Sequence, residues 1–505
     1  MTAFGLAKVV ETSSTVSSTQ SRKEKVGAVA DLMHSCPPDD TPLAVSLLAG
    51  MPRQGKIGVG WATLRELDVT PAGETTLTLQ DVDQAFETLA ATEGPGSTGR
   101  RHESLEALFR RATDDEGEFL KRVLLGELRQ GANESLVLEG LAKGRQIPIS
   151  TLRRALMLSG DLLFVAATAA TAGQAGIDSI GLEVGRPLRP MLASTAPDVS
   201  EALAAFDSAS VEWKLDGARV QIHRHGREVR IWTRNLNEIT ARLPFVVETV
   251  RSFEVNQVVL DGEILGFAED EMPRAFQETM SSFGTETGAP ELRSLFFDIL
   301  HRDGRDLVDE PLAERRTQLL EVCGDLSMPG TVTDDPAIAS SVLVAALESG
   351  HEGVMVKDSA STYEAGRRGK AWRKVKPVHT FDLVVLAAEW GHGRRTGWLS
   401  NLHLGARGTD GQFVMVGKTF KGLTDALLEW QTAELQQLQT HESGITVFVR
   451  PELVVEVAVD GVQASTRYPG GVALRFARVR RYRPDKSAAD ADGIESLHAM
   501  LAAGR

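Results

Sequence analysis

The sequence predicts a multidomain protein of α and α+β class, with an all-helical N-terminal region, a mixed α/β centre and a small β-barrel at the C-terminal end. Three observations carry this. At 505 residues the chain is too long for one ordinary core, so two to four domains are expected. Apolar residues recur at helical spacing through roughly the first 180 positions. After a polar, proline-containing stretch, "GRPLRPML" (185–192), the pattern changes to short alternating runs of strand type.

The helical region is clearest in "EGEFLKRVLLGELRQGANESLVLEGLAKG" (116–144). It also holds a weak internal repeat. Gly50, Arg53, Gln54 and Gly55 recur 76 positions later as Gly126, Arg129, Gln130 and Gly131. Each copy reads as a helix running into an Arg-Gln-Gly turn and then a second helix. A glycine turn at a helix start bares backbone N–H groups suited to phosphate, although helix packing alone also calls for glycine there.

In the centre, strands are expected at 211–215, 219–223, 229–233, 258–265, 295–299 and 353–357. The first two flank Asp216-Gly217, a strong hairpin signal, within "EWKLDGARVQIHR" (212–224). Four other Asp-Gly pairs, beginning at 261, 303, 410 and 460, read as turns too. A second boundary follows "KVKP" (374–377), and strands resume at 383–388, 403–406, 413–416, 447–449, 453–459 and 472–483, with one helix at 424–439. Five or six strands with one inserted helix suit an OB-fold barrel. The tail after Lys486 reads as a loose end. The expected domains are 1–184, 185–378 and 379–505.

Composition narrows the class. Apolar (42%) and charged (25%) contents are those of a soluble globular chain, and no run of about 18 apolar residues or secretory segment is present, so neither a membrane span nor export is expected. Two distant cysteines, Cys36 and Cys323, build neither a four-cysteine zinc site nor a disulfide framework, and reduced cytoplasmic thiols are expected. The net charge of −14 argues against a nucleic-acid partner. Yet basic blocks recur at 53–56, 100–102, 110–111, 367–376, 391–397, 417–422 and 475–483, which points to an extended surface for a polyanion.

"KLDGAR" (214–219) alone is weak evidence, since a hairpin explains it. It is followed in order by "TRN" (233–235), "LDGEIL" (260–265), "FFDIL" (296–300), "EGVMVK" (352–357), "WRKVKP" (372–377) and "RYRPDK" (481–486). This ordered series resembles the covalent nucleotidyltransferase superfamily, most closely the ATP-dependent DNA ligases, over about residues 30–486. The resemblance implies a helical DNA-binding domain, a nucleotidyltransferase (adenylation) domain and an OB-fold domain, with ATP as cosubstrate and Mg2+ as metal. The lysine matched by Lys214 attacks the α-phosphate of ATP and becomes lysyl-AMP. AMP then passes to the 5′-phosphate of a nick, and the 3′-hydroxyl closes it.

Further roles are implied residue by residue. Glu212 matches the reader of the adenine amino group and Phe297 the ring that stacks on the base. Glu263 and Glu352 match the acids that hold ribose and metal. Mg2+ takes oxygen ligands and keeps several waters, so two carboxylates suit it. Lys357 matches a phosphate-binding lysine, and Arg368 and Lys374 match further ATP contacts. A lysine ammonium is no nucleophile at pH 7, and nearby cations with partial burial make it yield its proton. Arg219, Arg234, Lys374, Lys376 and Mg2+ are candidates for that task and for neutralising the triphosphate. Arg483, Asp485 and Lys486 match a motif that orients pyrophosphate and swings with the barrel, about a hinge flanked by 374–377 and 390–397.

Related enzymes fit less well. NAD+-dependent ligases usually carry a four-cysteine zinc module, and capping enzymes and RNA ligases lack a helical region of this size. A catalytically dead nick-binding scaffold would not need the lysine and both glutamates. The expected partner is nicked double-stranded DNA, bound without sequence preference and more weakly as salt rises. The first glycine turn departs from the family pattern at Pro52 and "KIGVGW" (56–61). A monomer without membrane attachment is expected, at the nucleoid of a prokaryotic cytoplasm. Recruitment by a sliding clamp or repair proteins, with roles in replication, repair, recombination and cell division, completes the expectation.

Overall fold

In a computed structural model of the chain, residues 4–55, 57–128, 130, 133–267, 291–364 and 368–502 are described; the side chains of Phe267, Glu291 and Arg368 are not. From α1 (Leu6–Ser18) to α11 (Gly173–Asp178) the described N-terminal residues form helices around one core that includes Leu6, Val9, Leu48, Phe86, Leu120 and Leu141. Thr78 with Asp81 and Thr113 with Glu116 form capping boxes that open α5 (Leu79–Ala91) and α7 (Asp114–Leu125).

The repeated glycines do not open helices. Gly50 closes α3 (Thr41–Ala49) and Gly126 closes α7, each left-handed at φ 64° and 68°. Their N–H groups return to helix carbonyls, Leu47 O and Val123 O, and are not bare. Arg53 is likewise engaged, by Asp83 at 2.9 Å and Glu87 at 2.8 Å. Arg129 and Gly131 lie outside the described residues. Gln130 is buried, donates to Leu48 O at 2.6 Å and accepts from Ser13.

The centre holds two five-stranded sheets. The first runs β1 (Leu192–Thr195), β10 (Arg368–Val375), β9 (Gly353–Asp358), β2 (Ala209–Lys214), β8 (Gly330–Thr333). The second runs β4 (Glu228–Thr233), β3 (Ala218–His225), β5 (Gln257–Phe267), β6 (Glu291–Arg302), β7 (Arg305–Asp306). Side chains alternate as the pleat demands. Val211, Val354 and Val356 pack on α12 (Val199–Leu203) and α15 (Pro336–Glu348). Val220, Ile222 and Leu260 pack on α13 (Pro244–Arg251) and α14 (Leu312–Cys323). The opposite faces meet through Met191, Val259, Leu300 and Trp372 in one cluster and Leu215, Leu265 and Met328 in another.

The hairpin expected at Asp216-Gly217 is therefore absent: β2 and β3 belong to different sheets, and the chain crosses between them there. Gly217 serves close approach. A Cβ on it would stand 2.5 Å from Ile264 O and 2.8 Å from Glu263 Cγ. Of the other Asp-Gly pairs, 303–304 turns β6 into β7, while 261–262 lies inside β5 at a register shift. The pair 410–411 joins β12 (Leu399–Arg407) to β13 (Phe413–Thr419), whereas 460–461 hands the chain from β16 (Val454–Val459) to β17 (Gly461–Ala464) in another sheet.

The C-terminal domain is β-rich. Its main sheet runs β13, β12, β11 (His379–Trp390), β15 (Thr446–Val449), β14 (Gln439–Ser443), with β16 joining β11 to β19 (Arg478–Tyr482). β17 pairs with β18 (Val472–Arg475). The inserted helix α16 (Asp425–Gln437) places Leu428 and Leu435 in the core. The single strand expected at 472–483 breaks at Phe476, whose φ is 53°. The tail is not loose: Ser487 and Asp490 form a capping box, Asp492 accepts from Asp382 N at 2.7 Å, and α17 (Ile494–Ala502) buries Ile494 and Leu497. Residues 390–397 end β11 and form the β11–β12 loop inside this domain, so they flank no interdomain hinge. Among the described residues no helix is long and apolar enough to cross a membrane.

Candidate active site

Three adjacent strands of the first sheet end together, which gathers residues remote in sequence. Lys214 is the last residue of β2 and pairs in register with Gly353 at the start of β9; β9 in turn pairs Val354 with Val375 at the end of β10. Lys214, Glu352 and Lys376 are thus neighbours by topology. Lys214 Nζ forms an ion pair with Glu352 Oε2, and Lys376 Nζ lies 2.7 Å from Glu352 Oε1. Burial works against the Glu352 carboxylate, but Lys214 and Lys376 outweigh it and hold its pKa below the usual range.

The second sheet supplies the facing wall. On β5, Glu263 pairs in register with Arg219 of β3. Burial pushes the Glu263 carboxyl up to about 8, only partly offset by Lys214 and Arg219, and it has no hydrogen-bond partner among the described residues. Arg219 chelates Asp261, Nε to Oδ1 at 3.0 Å and Nη2 to Oδ2 at 2.5 Å, while Tyr363 donates to Asp261 at 2.8 Å. Asp216, in the crossing, is raised by burial and by Glu352.

The base side lies deeper. Glu212 is buried, with its carboxylate taken by Lys357, Arg316 and Ser210. Phe297 is half-buried, unlike its neighbour Phe296 in the core, and its ring is faced by Arg219 and Lys357 at 5.2 and 4.7 Å. Lys357, expected on phosphate, is bonded to two protein groups. It is fully buried, its ammonium on Glu212 Oε2 at 2.5 Å and on the Phe297 carbonyl at 3.2 Å.

The other expected residues stand as follows. Arg234 is exposed in the turn after β4 and bonds none of these groups. Lys374 is half-buried in β10 opposite Met355. Arg368 begins β10, but its side chain lies outside the described residues. Arg483 and Lys486 are bound within the C-terminal domain, to Asp382 at 2.9 and 2.5 Å, with Asp485 on Arg483 at 2.6 Å. Sequence reasoning missed Asp261, Tyr363, Arg316 and Arg475. Asp261 stood in a quoted motif and Arg475 opened a basic block, neither with a role of its own; for Arg316 the sequence shows a charged helix and nothing that points to β2.

Glu263 and Glu352 fit a divalent cation. One is a desolvated carboxyl near Lys214 and Arg219 with no hydrogen-bond partner among the described residues, the other a carboxylate shared by two ammonium groups. Among the described residues no three acidic, His or Cys groups form a metal cage, and Mg2+ needs none when phosphate and water complete its shell.

A lysine at a crossing between two sheets, flanked by two acids and a half-buried ring, suits a covalent nucleotidyltransferase. Comparison with known proteins is more particular. Residues 190–376 match a family described as "ATP dependent DNA ligase domain", 395–486 its "C terminal region" and 67–142 "DNA ligase N terminus". A protein called probable DNA ligase from Saccharopolyspora erythraea is 54% identical over 97% of both chains. One from Pseudarthrobacter chlorophenolicus is 52% identical over 98% of this chain and 99% of its own. The solved structure called Pmar-Lig_Pre has a TM-score of 0.63 at 18% identity, covering 94% of this chain and 99% of its own, a likeness of fold. The chain belongs to the ATP-dependent DNA ligases. It joins 3′-hydroxyl to 5′-phosphate at nicks in duplex DNA, with ATP as cosubstrate and Mg2+ as the metal required, through enzyme-adenylate and DNA-adenylate intermediates.

Proposed function

We propose that Lys214 carries the adenylate. Its Nζ, once deprotonated, attacks the α-phosphorus of ATP; a P–N bond forms, and the bond from the α-phosphorus to the bridging oxygen breaks to release pyrophosphate. A 5′-phosphate oxygen of the nick then displaces Lys214 from the adenylate. Finally the 3′-hydroxyl attacks that 5′-phosphate and AMP leaves. The observation that carries this reading is the convergence of Lys214, Glu352 and Lys376 at three neighbouring strand ends, with Glu263 opposite.

In this reading Lys376, with Arg219 behind Phe297, neutralises phosphate charge, and Arg368 and Lys374 line the approach along β10. Glu263 and Glu352 hold Mg2+, which when bound offsets charge on the triphosphate. Glu212 reads the adenine amino group beneath Phe297. The proposed domains are 1–184, 185–378 and 379–505, the last an OB-fold. Its basic segments 391–397 and 417–422 border an open cavity of about 500 Å3 lined by Trp390, Arg394, Arg395 and Phe420, which suits a DNA backbone. Arg483 and Lys486 would reach pyrophosphate only after this domain turns.

The enzyme would act as a cytoplasmic monomer at the nucleoid, in repair, replication, recombination and so cell division, brought to nicks by a clamp or repair protein. The test is intact mass after incubation with ATP and Mg2+. An increment equal to AMP, removed by pyrophosphate and missing in Lys214→Ala, is expected. An increment that persists in Lys214→Ala refutes the assignment.

A further inference from the structure

Glu212 is held by more than its place in β2. Its Oε1 accepts from Ser210 Oγ at 2.7 Å and from Arg316 Nη1 at 3.2 Å, and its Oε2 accepts from Lys357 Nζ at 2.5 Å. A carboxylate offers about four acceptor positions, so three donors leave one, on Oε2. Lys357 bonds both Oε2 and the Phe297 carbonyl, so it ties this oxygen to the strand that carries Phe297.

Arg316 is itself fixed at several points. Its Nη2 donates to Gly330 O at 3.0 Å. Gly330 is pressed against the same residue: a Cβ there would stand 2.8 Å from Glu212 Cα and 2.9 Å from Glu212 Cγ. The neighbouring Arg315 is fully buried and chelates Asp298 at 2.8 and 3.0 Å, which sets the rotation of α14. Helix, strand β8 and guanidinium therefore form one rigid bracket behind the carboxylate.

We infer that Arg316 is a positioning residue for base selection: by occupying Oε1 it turns Glu212 so that its one open acceptor position meets the 6-amino group of the purine. This rests on the adenine-reading role proposed for Glu212. A 6-amino group brings an N–H to that position. A 6-oxo group brings a lone pair, and a purine bare at C6 brings nothing, so a buried acceptor is left unmatched in both. Without Arg316, Oε1 keeps only the Ser210 hydroxyl and Lys357 is the only cation left on the carboxylate, so its orientation is less firmly set.

The test uses the full-length enzyme and measures lysyl-nucleotide formation with ATP and with purine riboside triphosphate, which lacks the 6-amino group. The variants are Arg316→Met, Arg316→Lys and Glu212→Gln. The wild type is expected to prefer ATP by about 100-fold or more in kcat/KM. Arg316→Met should cut that preference at least about tenfold through KM for ATP, with kcat held within about threefold. Arg316→Lys should restore part of it. Binding of nicked duplex in the absence of ATP, which leaves the base pocket unused, should stay at the wild-type affinity.

If Arg316→Met keeps the full preference while Glu212→Gln loses it, the role of Arg316 is overturned and that of Glu212 stands. If Glu212→Gln also keeps it, the adenine reading fails and takes this inference with it. If binding of nicked duplex without ATP falls together with the preference, and lysine restores neither, Arg316 serves folding and the inference is again overturned.

Discussion

Arg475 Nη1 lies 3.4 Å from Asp216 Oδ2, so a strand end of the C-terminal domain is tied to the crossing that carries Lys214. Lys376 approaches Asp460 at 4.0 Å beside it. Both pairs are partly open to water, Arg475 and Asp216 at 32% and 34% exposure, and each such pair contributes about 1 kcal/mol or less. The domain is thus placed over the site by contacts weak enough to release it, as Arg483 and Lys486 require if they are to reach the leaving pyrophosphate. Arg475→Ala should therefore slow single-turnover sealing of a pre-adenylylated nick by less than about fivefold. Arg475→Glu, which sets like charges together, should slow it by about tenfold or more, with partial relief in salt. Unchanged sealing by the glutamate variant would remove this contact from the closing step.

Gly217 gives a sharper prediction, because its clash is with backbone. A methyl at 217 meets Ile264 O at 2.5 Å and Leu265 Cγ at 3.0 Å, so Gly217→Ala must push β5 away from the crossing. The expected cost is about 1–3 kcal/mol of stability, together with loss of adenylylation as Lys214 parts from Glu263. Gly99, in a helix with nothing within 4 Å of its notional Cβ, is the control. Gly99→Ala should be neutral or stabilising by up to about 1 kcal/mol. Thermal unfolding with the adenylylation assay reads both, and equal behaviour of the two variants would contradict the packing argument.

Gly217 also shows what a sequence can and cannot reveal. Alternation along β2 and β9 places Glu212 with Lys214, and Met355 with Lys357, on common faces, and the strands themselves were legible because the pleat is local. Asp-Gly was legible as a bend and misread as a hairpin, because the demand for glycine comes from Ile264, far along the chain. Lys357 was matched to phosphate, but its environment is set by Glu212 and Phe297 from two other strands. The motif offered Lys376 as a cation for Lys214, and the two ammonium groups meet on Glu352. Arg316 left no trace, since a buried arginine on an amphipathic helix looks like any surface one until the partner strand is known.

Arg53 carries the same lesson into a DNA-binding prediction. It opens a basic block beside a glycine turn, which reads as a phosphate contact, yet Asp83 and Glu87 hold its guanidinium. A phosphate contact would add nearly one unit to the slope of log affinity against log salt. Arg53→Met should leave that slope unchanged and alter affinity for nicked duplex by less than about twofold. Titration by fluorescence anisotropy at several salt concentrations measures both, and a slope reduced by about one would return Arg53 to the DNA interface.

His223 makes the fold sensitive to acid, in the same direction as a carboxylate of lowered pKa. Its Nδ1 accepts from Gly185 N at 2.9 Å, so its Nε2 carries the hydrogen and donates to Gln221 Oε1 at 3.0 Å. Gln221 in turn holds Leu188 N at 2.7 Å, which pins the connector from the helical domain onto β3. A proton on Nδ1 would oppose the Gly185 N–H. Burial, with a smaller contribution from His301, lowers the imidazole from 6.5 to about 3. Between those values the unfolded chain takes up a proton and the folded one does not, so folding free energy is lost as pH falls through the window. One histidine contributes a slope of about 1.4 kcal/mol per pH unit. His223→Gln keeps an acceptor for Gly185 and cannot be protonated. Its thermal midpoint should therefore fall less steeply than that of the wild type between pH 6.5 and 4.5, while the two remain close at pH 7.5. His351, lowered by burial to about 4, adds the same trend to both proteins and cancels in the comparison. Parallel curves over that range would show that the connector is not held by a neutral imidazole.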